Sequence, residues 1–348
     1  MQEEFKRYQR QMVLPGFGRE QQQLLRNAKV LVAGCGGLGN PVLLYLVSAG
    51  IGQIGLLDFD SIKLENLHRQ VIFREKDLGR KKTDVAAEQL VERNGEVRFS
   101  IHDEKLTPDN AHHIISQYDL VVDCTDNFEA RYALDDACHA LSIPMVYGAL
   151  YRFEGQISVL NYKSGIRYRD LCPEIPATGV IPDCEIGGVL GSMAGSIGCM
   201  QAGEVIKIIT GIGEPADGKL VILDMLNLSM DTFEIQKHKQ QNRNQADQKS
   251  SHMNEVTSKE FLQMKDSGED FQLIDVREPY EHAQFNLGGE LIPMNTIPDQ
   301  VSSISRDKKV VVYCKSGMRS AQVIQYLQQK HQFDNLYNLR GGIMDWIS

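Results

Sequence analysis

Residues 29–40 read K-V-L-V-A-G-C-G-G-L-G-N, and the prediction of the fold starts from this stretch. Its first half is short, apolar and β-branched, which predicts a buried strand that ends at the glycines. A helical pattern follows at 40–49, and a second apolar run at 54–58 completes a strand, a helix and a strand. Connections this short predict a parallel strand pair with a helix crossing between its members.

The same pattern continues along the chain. Apolar runs at 119–124 and 144–148 enclose a helical pattern at 129–141. Runs at 155–162 and 219–224 extend the predicted sheet, with antiparallel pairing allowed at that edge. We therefore predict an α/β fold with a doubly wound, Rossmann-like sheet.

The glycines form a recognisable nucleotide motif. Gly34, Gly36, Gly37 and Gly39 match G-x-G-x-x-G between the predicted strand and the helix. Glycine at these positions lets the backbone approach a phosphate, and a helix N-terminus favours negative charge. Asp58 ends the next predicted strand, where a carboxylate can bind ribose hydroxyls. By itself this motif suggests a site for NAD or FAD.

The residues after Asp58 move the interpretation from a dinucleotide to ATP. Arg69 in L-E-N-L-H-R-Q and Lys82 in G-R-K-K-T-D place cations where they neutralise triphosphate oxygens and the charge that develops on the α-phosphate. A dinucleotide carries less charge and needs no such cluster. Asp126 in D-C-T-D-N lies beyond a strand end, where a carboxylate can hold magnesium. We therefore predict ATP and Mg²⁺.

Several motifs in combination resemble the MoeB/ThiF/HesA family, the prokaryotic relatives of ubiquitin-activating enzymes. They are G-C-G-G-L-G-N, L-L-D-F-D, N-L-H-R-Q, D-C-T-D-N and the early R-Y-Q-R-Q-M-V-L-P-G-F-G, and the resemblance covers residues 5–236. It implies adenylylation of the C-terminal glycine of a ubiquitin-like sulfur carrier that ends in Gly-Gly. By motif position it assigns Asp58 to the ribose, Asn66, Arg69 and Lys82 to the phosphates, Gln70 and Asn127 to the nucleotide, and Asp126 to magnesium. It also implies a homodimer in which Arg10 reaches the site of the partner subunit.

The sequence departs from this family at a zinc site. Many members carry two C-x-x-C pairs, of which the first would fall near 167–170 and the second near 236–245, and no cysteines occupy those positions here. Cys172 alone cannot form a tetrahedral thiolate site, so we predict no zinc.

Cysteines elsewhere fall into two groups. Cys184, in I-P-D-C-E-I-G-G-V, occupies the place where similar enzymes have a cysteine in a mobile loop before a helix. It is either a thioester or acyl-disulfide intermediate with the carrier or an unreactive thiol. Four others lie in predicted regular structure and are interpreted as packing residues: Cys35, Cys124, Cys138 and Cys199.

A change of composition separates a second domain. Residues 238–254 are mostly polar and predict a solvated linker between a domain at 1–237 and another at 255–348. The second domain again alternates strands and helices, which predicts a small α/β unit: helix 257–265, strand 271–276, strand 309–314, helix 319–330 and a short strand near 335–338.

The second domain contains a candidate sulfur site. The strand V-V-V-Y ends at Cys314, and K-S-G-M leads to Arg319 and a helix. A loop of this kind wraps backbone N–H groups around the sulfur and stabilises a thiolate or persulfide anion. The same cradle can hold a phosphate, so phosphatase chemistry competes on this motif alone.

The flanking residues resemble a single-domain rhodanese over roughly 255–348. The resemblance rests on D-V-R-E at 275–278, Y-E-H at 280–282, I-P-M-N and the terminal G-G-I-M-D-W, and on a Cys314 to Arg319 loop shorter than that of related phosphatases. It implies that Cys314 carries the persulfide and that Arg319 stabilises an anion. Asp275 and Arg277 are expected to support the fold.

Composition narrows the cellular setting. The formal net charge of −9 argues against a general nucleic-acid binder. An odd count of seven cysteines favours reduced cytoplasmic thiols, and the charged N-terminus has no secretory apolar region. The uncharged stretch at 186–203 is rich in Gly, Ser and Met, which favours a packed helix over a membrane span.

Joining an activating domain to a sulfur-holding domain predicts a C-terminal thiocarboxylate as the product. Thiosulfate or a cysteine desulfurase would supply the sulfur. The syntheses of molybdopterin, thiamine and thiolated tRNA all use this sequence of activation and sulfur transfer. The rivals are a nicotinamide oxidoreductase, a degenerate activating domain that acts as a scaffold, and an enzyme that conjugates the carrier and uses the rhodanese domain for docking.

Overall fold

The computed structural model describes residues 5–173, 188–237, 254–315 and 317–346. The chain folds as two compact units, and each has its own β-sheet. The limits predicted for the two domains stay predictions. The predicted linker lies outside the described residues except for residue 254.

The first unit is built on an eight-stranded sheet. Its strands are β1 (Lys29–Ala33), β2 (Gln53–Leu57), β3 (Arg98–His102), β4 (Leu120–Asp123), β5 (Met145–Tyr151), β6 (Glu154–Leu160), β7 (Lys219–Asp224) and β8 (Ser229–Glu234). The order across the sheet is β3-β2-β1-β4-β5-β6-β7-β8, and the strands from β3 to β5 are parallel. The winding reverses between β1 and β4, which confirms the predicted doubly wound fold.

Helices cover both faces of this sheet. They are α1 (Gln9–Met12), α2 (Arg19–Asn27), α3 (Gly39–Ala49), α4 (Lys82–Arg93), α5 (Pro108–Ile115), α6 (Phe128–Leu141), α7 (Tyr168–Leu171) and α8 (Gly191–Thr210). Short 3₁₀ turns occupy Lys6–Tyr8, Leu64–Asn66 and Glu75–Asp77. The central strands are therefore buried on both sides, and this explains their continuous apolar runs.

Two apolar cores lie on opposite faces of the sheet. Val30 and Val32 of β1 belong to a cluster that contains residues of α3 and α8. Leu31 and Ala33 of the same strand belong to the other cluster, with residues of α5 and α6. Because successive side chains of a strand point to opposite faces, one strand connects both cores and carries the glycine loop at its end.

The glycine-rich stretch that was predicted to pack as a helix does so in α8. A Cβ atom at Gly198 would lie 2.6 Å from the Leu38 carbonyl oxygen, so only glycine allows α8 to approach α3 so closely. Within the described residues, no helix is both long and apolar enough to cross a bilayer.

The last strands of the first sheet change direction. β5 pairs with β6, β6 with β7 and β7 with β8, all antiparallel, as the sequence allowed. β8 is exposed along its whole length, and its sequence S-M-D-T-F-E shows no apolar alternation. This edge strand therefore gave no recognisable signal in the sequence.

The second unit has a five-stranded parallel sheet in the order β11-β10-β12-β13-β9. Its strands are β9 (Asn254–Val256), β10 (Phe271–Asp275), β11 (Glu290–Leu291), β12 (Lys309–Tyr313) and β13 (Leu336–Leu339), and its helices are α9 (Ser258–Ser267), α10 (Pro279–Gln284) and α11 (Met318–His331). Further 3₁₀ turns occupy Met294–Asp299, Val301–Ser303 and Gly342–Trp346. The predicted elements are present, whereas β9 and β11 are too short to show a periodic pattern.

Candidate active sites

The glycine loop packs directly against the loop after β4. Gly34 has a φ of 97°, and a Cβ atom there would lie 2.6 Å from the Cys124 carbonyl oxygen. A Cβ atom at Gly39 would lie 2.0 Å from the Gly34 carbonyl oxygen. Both glycines are therefore required by close backbone contact. The loop lies at the point where the strand order reverses, which is where open α/β sheets bind ligands.

Asp58 follows β2 and is tied to the glycine loop. Its Oδ2 accepts a hydrogen bond of 2.8 Å from the backbone N–H of Cys35, and its Oδ1 accepts one of 2.9 Å from Asp60. Burial raises the pKa of the Asp58 carboxyl, while the Lys82 ammonium acts in the opposite direction. Each oxygen keeps a second lone pair, so the carboxylate can also accept hydrogen bonds from a ligand.

Lys82 brings two carboxylates together. Its side chain is 7% exposed, and its Nζ lies 2.7 Å from Asp60 Oδ2 and 3.8 Å from Asp58 Oδ2. Sequence reasoning did not single out Asp60, although it stands in the quoted motif L-L-D-F-D. The neighbouring Lys81 instead pairs at the surface with Asp103, at 2.9 Å.

Arg69 and Gln70 also lie beside the glycine loop. A Cβ atom at Gly37 would be 3.3 Å from the Arg69 Cδ, and one at Gly36 would be 3.7 Å from the Gln70 Nε2. Gln70 is 2% exposed. Among the described residues its Oε1 finds no hydrogen-bond partner. A buried, unpaired acceptor next to a phosphate-binding motif is suited to a ligand donor.

Asn66 is the turn residue that sets this geometry. Its carbonyl oxygen accepts hydrogen bonds from the backbone N–H groups of Arg69 (3.1 Å) and Gln70 (3.0 Å). Its side chain is only partly buried. The predicted contact of Asn66 with a phosphate stays a prediction.

Sequence reasoning missed Asn40, which holds the glycine loop in place. Its Nδ2 donates to the carbonyl oxygens of Cys35 (2.8 Å) and Gly36 (3.0 Å), and its Oδ1 accepts from the N–H of Ile72 (2.7 Å). The side chain is fully buried. An asparagine in the otherwise apolar N-P-V-L-L was the available signal, because buried amides need partners.

The loop after β4 presents Asp126 to solvent, whereas Asn127 has a structural contact. Asn127 Oδ1 accepts from the Ala130 N–H at 2.9 Å and caps α6. Beneath them, Asp123 Oδ1 accepts from the N–H (2.9 Å) and hydroxyl (2.6 Å) of Thr125. Arg131 donates to the Thr125 carbonyl oxygen at 2.9 Å. Arg131 Nε also lies 3.8 Å from Asp123 Oδ2, and this buried pair fixes the backbone just before Asp126.

For two predicted site residues, Arg10 and Cys184, the structure describes no contact with the residues around the glycine loop. Arg10 lies on α1 and is exposed. Cys184 lies outside the described residues. Their predicted roles stay predictions.

Ion pairs occupy the region where the family's first zinc-binding pair would fall. Arg167 Nη2 lies 2.9 Å from Asp135 Oδ2 and 2.8 Å from Asp136 Oδ1. Arg169 Nη2 lies 2.6 Å from Asp136 Oδ2. These contacts join α7 to α6, and they supply cross-links of the kind that a structural metal would otherwise provide.

The packing role expected for four cysteines holds for three of them. Cys35, Cys124 and Cys138 are buried, and burial raises the pKa of each thiol. The expectation was wrong for Cys199, which is exposed. The buried face of α8 passes through Ile197, Gly198 and Gln201, so the position between them points outward.

In the second unit, Cys314 lies at the end of the central strand β12 and is fully buried. The backbone N–H of Gly317 donates to its Sγ at 3.1 Å. Gly317 has a φ of 90°, a left-handed conformation that directs the N–H towards the sulfur. One backbone donor of the kind expected around an anionic sulfur is therefore present in the part of the loop that the structure describes, and the sulfur role of Cys314 stays a prediction.

Arg319 is oriented by a carboxylate. Its Nη1 and Nη2 donate to Glu281 Oε2 (2.7 Å) and Oε1 (2.8 Å), a two-point pair. Although burial opposes it, this pairing leaves the pKa of Glu281 below its usual value. Sequence reasoning quoted Glu281 within a motif and gave it no role.

Asp275 and Arg277 form a buried pair, as expected for residues that support the fold. Arg277 Nη2 lies 2.6 Å from Asp275 Oδ2, and His282 Nδ1 lies 2.9 Å from the same oxygen. Burial alone would raise the pKa of Asp275, but the hydrogen bonds from Arg277 and His282 lower it overall.

A glycine loop at a topological switch point, joined in one chain to a cradled cysteine, defines a nucleotide-binding α/β protein with a thiol-centred second domain. The chain belongs to the ThiF family, whose model matches residues 8–245, and residues 257–348 match the rhodanese-like domain.

Named relatives match the chain over most of its length. It is 40% identical to the "probable adenylyltransferase/sulfurtransferase MoeZ" of Mycobacterium tuberculosis, over 99% of this chain and 93% of that protein. It is 36% identical to the "adenylyltransferase and sulfurtransferase MOCS3" of Culex quinquefasciatus, over 99% and 87%. The "sulfur carrier protein adenylyltransferase" of Thermus thermophilus is 42% identical over 68% of this chain and 89% of its own length.

Solved structures support the fold. The crystal structure of E. coli MccB aligns with a TM-score of 0.61 and 24% identity, over 74% of this chain and 76% of that one. The crystal structure of E. coli MccB with ATP aligns with a TM-score of 0.57 and 25% identity, over 64% and 68%.

Proposed function

We propose that this protein uses ATP to adenylylate the C-terminal glycine of a ubiquitin-like sulfur carrier and then converts that glycine to a thiocarboxylate. It is an adenylyltransferase and a sulfurtransferase in one chain. Cys314 carries the sulfur as a persulfide.

The observation that supports this function best is the presence of both sites in a chain whose named relatives carry both activities. The Mycobacterium tuberculosis relative matches 99% of this chain, so the likeness includes the glycine loop and Cys314 together. A nicotinamide oxidoreductase would need neither the buried Lys82 nor a sulfur cradle.

The residues of the first site fit ATP. The glycine loop and the N-terminus of α3 receive phosphate oxygens, and Asp58 accepts hydrogen bonds from the ribose. The unpaired Gln70 Oε1 offers a further acceptor beside the loop. Arg69 and Lys82 supply positive charge where the α-phosphate is attacked. Lys82 has two carboxylate neighbours, but its Nζ lies within hydrogen-bond distance of Asp60 and not of Asp58. Its other N–H groups can therefore donate to a phosphate.

Asp126 fits a magnesium ligand. Mg²⁺ in nucleotide sites commonly binds one or two carboxylates together with substrate phosphates. Asp126 is exposed in the loop after β4, which packs against the glycine loop. The pair of Asp123 and Arg131 holds the backbone just before Asp126. When bound, the ion would neutralise phosphate charge.

We further propose a homodimer in which Arg10 completes the partner's site. Arg10 is exposed on a short helix, and its long side chain can extend beyond its own subunit. The expected test is complementation. An Arg10→Ala chain mixed with a Lys82→Ala chain should recover part of the activity, and a monomer at working concentration would contradict the proposal.

Sulfur transfer follows activation. ATP turns the carrier carboxylate into an acyl-adenylate, with release of pyrophosphate. The terminal sulfur of the Cys314 persulfide attacks the acyl carbon, forms a C–S bond and expels AMP. A first thiol then attacks the Cys314 sulfur of the resulting acyl disulfide and releases the carrier as a thiocarboxylate, and a second thiol reduces the disulfide left on Cys314 and returns its thiol. Cys184 is a candidate for the first of these two thiols, which stays in a disulfide with Cys314 until the second thiol reduces it.

Thiosulfate or a cysteine desulfurase would load Cys314 with sulfur. We place the protein in the cytoplasm, where ATP is available and thiols stay reduced.

The experiment is the intact mass of Gly-Gly carriers after incubation with the full chain, Mg-ATP and thiosulfate or a desulfurase. The expected gain is that of one sulfur replacing one oxygen. It should vanish in Cys314→Ala and persist in Cys199→Ala, a matched control in an exposed cysteine. An adenylate without sulfur transfer would refute the role of Cys314. A carrier joined to other proteins would instead favour conjugation.

A further inference from the structure

A hydroxyl group lies next to the sulfur of Cys314. Ser320, in the first turn of α11, is fully buried, and its Oγ lies 3.4 Å from the Cys314 Sγ. The same oxygen lies 2.6 Å from Asn338 Oδ1 on β13 and 3.1 Å from the carbonyl oxygen of Gly317. The hydroxyl is therefore surrounded by three acceptors, two from the cysteine loop and one from β13.

Proton counting shows why this arrangement can respond to the state of the sulfur. A serine hydroxyl carries one proton, so it donates strongly to only one of these acceptors at a time. A neutral thiol is a weak acceptor, and the amide oxygen of Asn338 then competes well for the proton. An ionised sulfur is a charged acceptor, and hydrogen bonds to charged groups are roughly twice as strong.

Burial makes the choice of acceptor important. Cys314, Ser320 and Asn338 are all at most 5% exposed, so water is a poor substitute for a missing donor. The one backbone donor described for the sulfur is the Gly317 N–H, at 3.1 Å. A buried anion needs more than one donor to offset its lost hydration.

We propose that Ser320 is a further catalytic residue, which turns its hydroxyl from Asn338 to the Cys314 sulfur when that sulfur becomes an anion. Asn338 holds the hydroxyl in position while the sulfur is neutral. The proposal rests on the proposed function of Cys314 as sulfur carrier. It applies to the thiolate that attacks a sulfur donor and to the thiolate released at the end of the cycle.

The test is the pH dependence of Cys314 alkylation in the reduced full chain, followed by mass spectrometry of the peptide that contains Cys314. Iodoacetamide serves as the probe because it reacts with the thiolate. In Ser320→Ala the midpoint of the pH–rate profile should rise by about one pH unit, since one hydrogen bond to a charged group is lost. Ser320→Thr keeps a hydroxyl and should restore the wild-type midpoint.

Two controls separate this role from a structural one. Ser303→Ala removes an exposed hydroxyl that donates to Gln300 at 2.8 Å in the same unit, and it should leave the midpoint unchanged. Loosening of the loop would accelerate alkylation at every pH without moving the midpoint. An unchanged midpoint in Ser320→Ala, with an unchanged unfolding temperature, would overturn the proposal.

Failure of the proposed function has a different signature. If wild-type Cys314 takes up no sulfur from thiosulfate or a desulfurase, its role as carrier fails. The alkylation profile needs neither donor nor carrier, so it still reports on Ser320.

Discussion

Lys82 offers the sharpest test of the nucleotide site, because its neighbour Lys81 is a natural control. We consider Lys82→Met, which keeps an unbranched side chain one atom shorter than that of lysine and removes its charge. Lys82 is 7% exposed, and Asp58 beside it is 9% exposed. Lys81 and its partner Asp103 are 41% and 38% exposed. The two substitutions therefore remove the same group from a buried site and from the surface.

The expected loss of stability follows from this burial. Removing one partner of a buried ion pair costs about 3–5 kcal/mol. Asp58 keeps its two backbone hydrogen bonds and Asp60 is half-exposed, so we take the lower end, about 3 kcal/mol. For a unit of this size that corresponds to a fall in the unfolding temperature of roughly 6–12 °C. An exposed pair is worth at most about 1 kcal/mol, so Lys81→Met should change little.

The pH dependence gives the result that would refute this reasoning. Burial already raises the pKa of Asp58, and loss of Lys82 raises it further. A carboxyl with a raised folded-state pKa loses stability as pH rises from its ordinary value, about 3.9, through the folded-state value. Thermal unfolding should therefore show a wider gap between wild type and Lys82→Met near pH 8 than near pH 5. Equal gaps, or an equal effect of Lys81→Met, would refute the assignment.

Three further predictions test the glycine loop, the region of the family's zinc site and the buried ion pair of the second unit. Gly39→Ala should abolish ATP–pyrophosphate exchange, because its Cβ would lie 2.0 Å from a carbonyl oxygen. Gly195→Ala, which has open space around its Cβ, should retain exchange, and equal activities of the two variants would contradict this prediction. Dialysis against EDTA should leave the unfolding temperature unchanged, since ion pairs occupy the region where the family's first zinc-binding pair would fall, and a large fall would reveal a structural metal. Arg277→Met should lower the free energy of unfolding in denaturant by about 3 kcal/mol, because it leaves Asp275 buried without its cation. Lys308→Met, at an exposed ion pair, is the control. Similar losses in the two variants would argue against the buried pair.

Much of the fold was predictable because its elements have strong periodic patterns. The run V-L-V-A that follows Lys29 is buried on both faces in β1, and the predicted helix after the glycines is α3. β8 was missed because its side chains are all exposed, and β9 and β11 because they have three and two residues. A short or exposed strand is defined by its partner's hydrogen bonds, which leave no mark on local composition.

The sites were predictable as residue types but not as contacts. Spacing indicated Asp58, Lys82 and Cys314 as candidates, since motif order follows the strand ends of an α/β sheet. It did not identify Asn40 or Ser320, whose partners come from other segments of the chain. Cys199 was misassigned because a helix rich in small residues has too weak a pattern to show which side is buried.

From the sequence alone one could predict two α/β domains, a glycine loop of the kind that binds phosphate, and a cysteine loop of the kind that holds sulfur, because each depends on local backbone conformation and on residues close together in the chain. The three-dimensional packing was needed to show which lysine is buried against Asp58, that Arg319 is held by Glu281, and that Ser320 and Asn338 meet at Cys314. These contacts join segments distant in sequence, and their strength depends on burial, which arises only when strands and helices pack together.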